Sequence, residues 1–192
     1  MGLVSRTERE FGSKRGFAYY IFWRTSIVCG FYQAGSDIVW NRVGRVIFLC
    51  TGNICRSPLA AAKARALGLD ALSAGIRCRR GINPDPRTLA FAAKHALAGL
   101  HDGTTPLGDI TLTDTDLVIG MEPMHLYADQ VRQADCQRSL LGSWLAHPRA
   151  YLHDPYSADV AYFERCGELI LSAVTSLARA AHSKGYVPSD AI

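Results

Sequence analysis

The chain has 192 residues, 48% hydrophobic and 20% charged, the balance of a soluble globular protein with room for one domain and an appended segment. A formal net charge of +4, with the arginines dispersed and no long basic run, leaves no electrostatic footprint for nucleic acid. The six cysteines (29, 50, 55, 78, 136 and 166) include no Cys-x-x-Cys pair, and no His-x-x-x-His pair accompanies them, which argues against structural zinc. With no clear secretory signal, and a length that needs no staples, these thiols point to a reducing cytoplasm rather than a disulfide framework.

Residues 1–16 are polar and contain glycine, and are expected to be flexible. Residues 17–32, FAYYIFWRTSIVCGFY, are strongly apolar and follow Lys14 and Arg15. They fall short of the roughly 20 apolar residues of a spanning helix, are interrupted by Arg24, and show no clear cleavage site. Two readings stay open: a segment that packs on the domain or on a second copy, or an aromatic, cation-flanked membrane-interface anchor. QAGSD (33–37) reads as a turn. RVIFLC (45–50), bounded by Gly44 and Gly52, reads as a short buried strand. Ser57-Pro58 supplies an N-cap and a first-turn proline for the alanine-rich helix that follows, with Gly68 as its stop.

LSAG (72–75) is a second strand candidate, residues 83–99 a proline-started helix ending near Gly99, and DLVIGM (116–121) another buried strand. Residues 123–133 read as one helix and 140–157 as loop. Residues 160–182 carry Val160, Phe163, Ile170, Leu171, Val174, Leu177 and Ala181 at helical spacing. Short buried strands alternating with helices predict a three-layer α/β/α sandwich, its sheet small and mainly parallel, with an anion-binding loop after the first strand. The predicted division is an N-terminal extension (1–42) and a domain spanning 43–186.

The stretch FLCTGNICRSP (48–58) concentrates the chemistry. Its loop leaves the carboxyl end of a strand and enters a helix N-terminus, where unpaired N–H groups and the helix dipole favour an anion. Gly52 is expected to let the backbone curl into a nest of amides. Arg56 adds a planar fork for two phosphate oxygens. Cys50 lies at the base, where the helix terminus and a nearby cation favour its thiolate. That is a nucleophile aimed at a bound phosphate, with Arg56 and the amides to hold the equatorial oxygens and no metal required.

CTGNICRSP resembles the Cys-x5-Arg-Ser/Thr-Pro signature of the low-molecular-weight protein tyrosine phosphatase family. LSAG, PDPR (84–87), DLVIGMEPMHL (116–126), LLGSW (140–144) and HDPYS (153–157) resemble further stretches of it, so the likeness covers residues 44–182. The resemblance implies hydrolysis of phosphotyrosine through a phospho-Cys50 intermediate, without cofactor or metal, with Asp154 as general acid and base. It implies a phosphate loop of Thr51, Gly52, Asn53, Ile54, Cys55, Arg56 and Ser57. Asn53 and Ser57 would brace this loop, with Ser73 and His101 completing the network. Cys55 would be the redox partner of Cys50, and Tyr156 an aromatic wall beside the substrate ring. At the second wall, usually aromatic in the family, this chain has Arg79; after His101 it has Asp102-Gly103 where basic residues are usual. The implied partner is a phosphotyrosine protein, with a bacterial tyrosine autokinase as a candidate. Competing readings are a thiol-linked arsenate reductase of the same fold and a non-catalytic phosphotyrosine-binding module.

Overall fold

The computed structural model describes residues 6–29, 37–100 and 103–188. In chain order the elements are α1 (Arg6–Phe11), α2 (Lys14–Val28), β1 (Arg45–Cys50), α3 (Arg56–Ala66), β2 (Ala71–Gly75), α4 (Pro86–Lys94), β3 (Asp116–Gly120), α5 (Pro123–Leu126), α6 (Asp129–Gln133), β4 (Gln137–Leu140) and α7 (Val160–Ser183). The four strands form one parallel sheet in the order β2-β1-β3-β4.

Alternation along β1 divides the core. Val46, Phe48 and Cys50 face the layer built by α3 and α7, while Ile47 and Leu49 face Leu107, Ile110 and Val131 on the other side. Both faces are covered, which is why these strands read as continuous apolar runs. The helix α3 buries Leu59, Ala60, Ala61, Ala62 and Ala64. The face of α7 is made by Phe163, Cys166, Ile170, Val174, Leu177 and Ala181, with Val160 left exposed at its start. The chain passes from β1 to β2 on one side and then to β3 on the other. The loops beyond the carboxyl ends of β1 and β3 therefore diverge, and ligands of open α/β sheets bind in such a crevice.

Several local expectations change. Residues 6–16 are helical rather than flexible: α1 and the start of α2 form a hairpin, and α1 packs on α7. Residues 17–28 of the aromatic segment lie in α2, with Tyr19 stacked on Tyr151 at 5.2 Å between ring centroids, and residues 30–32 fall outside the described residues. The turn at 33–37 lies largely outside the described residues. The helix after the anion loop starts at Arg56 with Cys55 as its cap residue, because the Ser57 hydroxyl is engaged elsewhere. Helix α4 ends at Lys94, where Ala96 takes a left-handed φ of 51°. Residues 123–133 split into α5 and α6, because Ala128 is extended between them. β4 was not expected: Gln137–Leu140 is a short edge strand whose first half is only partly buried, so it carries little apolar signal.

Candidate active site

Strand β1 ends at Cys50, and the next five residues curl back to place Arg56 in the first turn of α3. The residue that turns this loop is Asn53, with φ 54°, and not Gly52, which lies outside the left-handed region. Asparagine tolerates that conformation when its side chain is locally bonded. Its amide nitrogen donates to Ser57 Oγ and Ser73 Oγ, both at 2.9 Å, and its Oδ1 accepts from the Thr105 backbone N–H at 2.7 Å. Asn53 and Ser57 are fully buried. Gly75, at the end of β2, admits the loop: a Cβ there would fall 3.0 Å from Asn53 Cβ and 3.1 Å from the Thr51 carbonyl.

The Cys50 sulfur receives the Asn53 N–H at 3.1 Å and lies 3.0 Å from Ser57 Oγ. Burial pushes the Cys55 thiol up to about 12, so it keeps its proton at neutral pH. Both are free thiols.

Arg56 is almost wholly buried. A buried charge costs several kcal/mol unless paired, and here the pairing is generous. Nη1 bonds Glu122 Oε1 and the Leu152 carbonyl, the latter at 2.7 Å. Nη2 lies 2.8 Å from Asp154 Oδ2 as an ion pair, yet has no hydrogen bond of good alignment, which leaves its donors available to an anion. Burial opposes the charge, but Asp154, Glu122 and Cys50 outweigh it and raise the guanidinium above its ordinary value.

Asp154 reaches this point on a loop that Leu152 pins from both sides, its N–H donating to the Met121 carbonyl at 3.0 Å and its own carbonyl accepting from Arg56. Asp154 Oδ1 accepts from the Tyr156 N–H at 3.1 Å, closing a short turn through Pro155. Cys50, Thr51, Gly52, Ile54, Cys55, Arg56, Asp154 and Tyr156 together line a cavity of about 230 Å³. The expected nucleophile, anion-binding arginine and acid, distant in sequence, thus share one cleft.

The family model for low-molecular-weight phosphotyrosine protein phosphatases matches residues 45–186. This chain belongs to that family. A low-molecular-weight protein-tyrosine-phosphatase of Streptomyces coelicolor is 37% identical over 150 residues, covering 69% of this chain and 90% of that protein. The tyrosine phosphatase Wzb from Escherichia coli K30, solved with sulphate, superposes with a TM-score of 0.57 at 28% identity, covering 72% of this chain and 98% of that one. An arginine phosphatase from Geobacillus stearothermophilus has the same fold, with a TM-score of 0.61 at 19% identity over 73% of this chain and 94% of that one.

Several contributors to this phosphatase site were not singled out from sequence. Glu122 pairs with Arg56, and His125 sits behind the loop with Nδ1 accepting from the Met121 and Glu122 N–H groups at 3.2 Å. Burial, and then the charge of Arg56, hold His125 well below its ordinary 6.5. The ring is neutral, its proton is on Nε2, and it donates to Thr51 Oγ1 at 3.2 Å. Arg87 links the two loops. It forks onto Asp85, at 2.7 and 3.0 Å, and donates to the Tyr156 carbonyl at 2.8 Å. The Asp85 N–H and the Thr88 hydroxyl both reach the Ile54 carbonyl at 3.0 Å. The PDPR and MEPMH stretches were the available signals, but nothing in them says which atoms they hold.

Arg79 is exposed and outside the cavity lining, and its carbonyl accepts from the Thr104 hydroxyl. Arg80 is turned onto Asp109 at 2.8 Å. His101 lies outside the described residues; within them, Thr105 supplies the third bond to Asn53. Tyr156, 59% exposed, stands at the cavity rim rather than in the core.

Proposed function

We propose that this phosphatase hydrolyses phosphotyrosine on a protein through a phosphocysteine on Cys50. The observation that carries the reading is the single cleft holding Cys50, Arg56 and Asp154 between the walls of Ile54 and Tyr156. An incoming phosphate dianion competes for Arg56 Nη2 and so releases Asp154 from its ion pair, and the freed carboxylate, which is 40% exposed, takes a proton from solvent. The Cys50 thiolate then attacks phosphorus and the P–O bond to the ring breaks. The departing phenolate takes the proton of Asp154. Water, deprotonated by the same carboxylate, attacks the phosphocysteine and frees inorganic phosphate and the thiolate. Loop amides and Arg56 meet the charge that develops on the equatorial oxygens. Asn53, Ser57 and Ser73 brace the loop, and Cys55 is the thiol that closes reversibly on Cys50 under oxidation.

The test is turnover of a phosphotyrosyl peptide and of aryl phosphates by wild type, Cys50→Ser and Asp154→Ala. The first variant should be inactive. The second should lose roughly 10²–10⁴-fold in rate. Near-wild-type activity of Cys50→Ser sinks the reading. A phosphoarginine peptide belongs in the same assay, and preferential release from it would reassign the substrate; the apolar walls of Ile54 and Tyr156 favour a ring.

Among the described residues no helix is long and apolar enough to cross a membrane. Helix α2 nevertheless exposes Phe17, Ile21, Phe22 and Val28, and Lys14 and Arg15 lie in its first turn. That pattern supports contact with an anionic membrane surface, where a membrane-borne tyrosine autokinase would present its phosphotyrosines; the free cysteines support a reducing, cytoplasmic placement. Co-flotation with anionic vesicles, lost in Phe22→Asp, checks it.

A further inference from the structure

The N-terminal hairpin grips the one residue next to the acid. Between α1 and α2 the chain turns at Gly12, with φ 78°, and Ser13 caps α2 by accepting from the Gly16 N–H at 2.9 Å. The His153 ring fills the space this turn leaves. A Cβ on Gly12 would fall 2.4 Å from His153 Cδ2 and 2.8 Å from the Tyr162 ring, and one on Gly16 would fall 3.0 Å from His153 Cγ. Ser13 Oγ lies 3.3 Å from His153 Nε2, and the Tyr151 hydroxyl 3.1 Å from Nδ1. From behind, the Tyr162 hydroxyl donates to the His153 carbonyl at 3.2 Å.

The start of the acid loop is tied to the same hairpin. Arg149 donates to the Glu10 carbonyl at 3.1 Å and to its carboxylate at 3.3 Å, and its guanidinium lies over the rings of Phe11 and Tyr20. Arg165, on α7, shares the same Glu10 carboxylate at 3.3 Å. Tyr19 stacks on Tyr151. Three residues of the loop (149, 151 and 153) thus face the hairpin, while Leu152 and Asp154 face Arg56. The loop is a strip held between the catalytic arginine and the appended helices.

We propose that the hairpin is a positioning element of the catalytic reaction: Gly12 and Ser13 seat His153, Glu10 holds Arg149, and together they set Asp154 over Cys50. This rests on Asp154 being the general acid. The hairpin residues do not touch the reacting atoms; they act through Asp154 alone. Their loss should therefore matter most where the leaving group needs a proton. Phenolate is a strong base and needs one, whereas 4-nitrophenolate departs with little help.

The experiment uses the full chain with Gly12→Val and Ser13→Ala, each also combined with Asp154→Ala. Gly12→Val adds bulk where His153 sits and strains a left-handed φ; Ser13→Ala adds no bulk and keeps the test valid if the first variant does not fold. The expected result for Gly12→Val is about tenfold lower kcat/KM on phenyl phosphate, against less than about threefold on 4-nitrophenyl phosphate, the size of a displaced catalytic group. Ser13→Ala should move the same way by a smaller factor. Inhibition by inorganic phosphate should be unchanged. In the Asp154→Ala background neither substitution should cost anything further. Equal losses on both substrates, full additivity with Asp154→Ala, or no loss in either folded variant would overturn the proposal. If those variants are silent while Asp154→Ala is impaired on phenyl phosphate, the hairpin inference falls alone. If Asp154→Ala itself is unimpaired, the acid assignment falls and the inference with it.

Discussion

Two loops face each other across the cleft, and they are held in opposite ways. The phosphate loop (50–57) is an internal object. Asn53 and Ser57 are buried, Arg56 nearly so, and the bonds around Asn53 and Cys50 come from within the loop, from strand β2 and from Thr105. The acid loop (149–158) is a surface object whose key carboxylate is 40% exposed and whose supports arrive from β3, α4, α7 and the N-terminal hairpin. A site for a phosphate dianion needs donors fixed before the ligand arrives, since reorganising them would consume binding energy. An acid that must protonate one oxygen and then activate a water at another has the opposite requirement. The contrast teaches that affinity for phosphate and delivery of the proton are separable here, and substitutions should split along that line.

Beyond Cys50 and Asp154 themselves, the largest effect should come from the phosphate-loop residue that also holds the acid loop. Arg56→Lys keeps a charge but loses the fork that touches Glu122, Leu152 and Asp154, and should lower kcat/KM by roughly 10²–10³-fold while weakening inhibition by phosphate. Next is Asn53→Ala, confined to the phosphate loop. It takes one partner each from two hydroxyls and a backbone N–H, and a denaturant midpoint should report about 1–3 kcal/mol of lost stability. Phosphate affinity should fall with it. Arg87→Ala falls chiefly on the acid loop: it frees the Tyr156 carbonyl, while the Asp85 N–H and the Thr88 hydroxyl still hold the Ile54 carbonyl, and it should cost about tenfold on phenyl phosphate with phosphate inhibition intact. An equal loss in both readouts would erase the separation.

The smallest effect is a pH dependence of stability. The folded state holds His125 below its ordinary 6.5, so the unfolded chain binds more protons. The contribution is complete above that value and is lost as pH falls through it toward the folded value. The drop in melting temperature from about pH 7.5 to about pH 5.5 should therefore be smaller in His125→Gln than in wild type.

The same contrast explains what sequence could and could not tell. The phosphate loop is legible because its parts are consecutive: a β-branched strand, a turn, an arginine and a proline-bearing helix start fall within FLCTGNICRSP. Even there the turn residue was misassigned to Gly52, because asparagine advertises its left-handed conformation less openly. Asp154 could be picked out only through the Asp-Pro-Tyr resemblance. Glu122, His125 and Arg87 act through contacts between residues 66 to 74 positions apart, and such contacts leave no periodic trace. The hairpin was obscured for a different reason. Glu10, Gly12 and Ser13 look like ordinary surface residues, and their meaning depends on Arg149 and His153, some 140 positions away.

The run of alanines in α3 has a geometric consequence. Ala60, Ala61, Ala62 and Ala64 are all buried, in a helix packed on the sheet and against α7. Side chains this short let the helix axis come close to β1, and the five residues between Cys50 and Arg56 span only that narrow gap. The alanines therefore act as a spacer gauge for the oxyanion cradle. Replacing one by valine or leucine would lever the helix outward, and the amides at its amino end would be carried off the radius of a phosphate without any loop residue having changed.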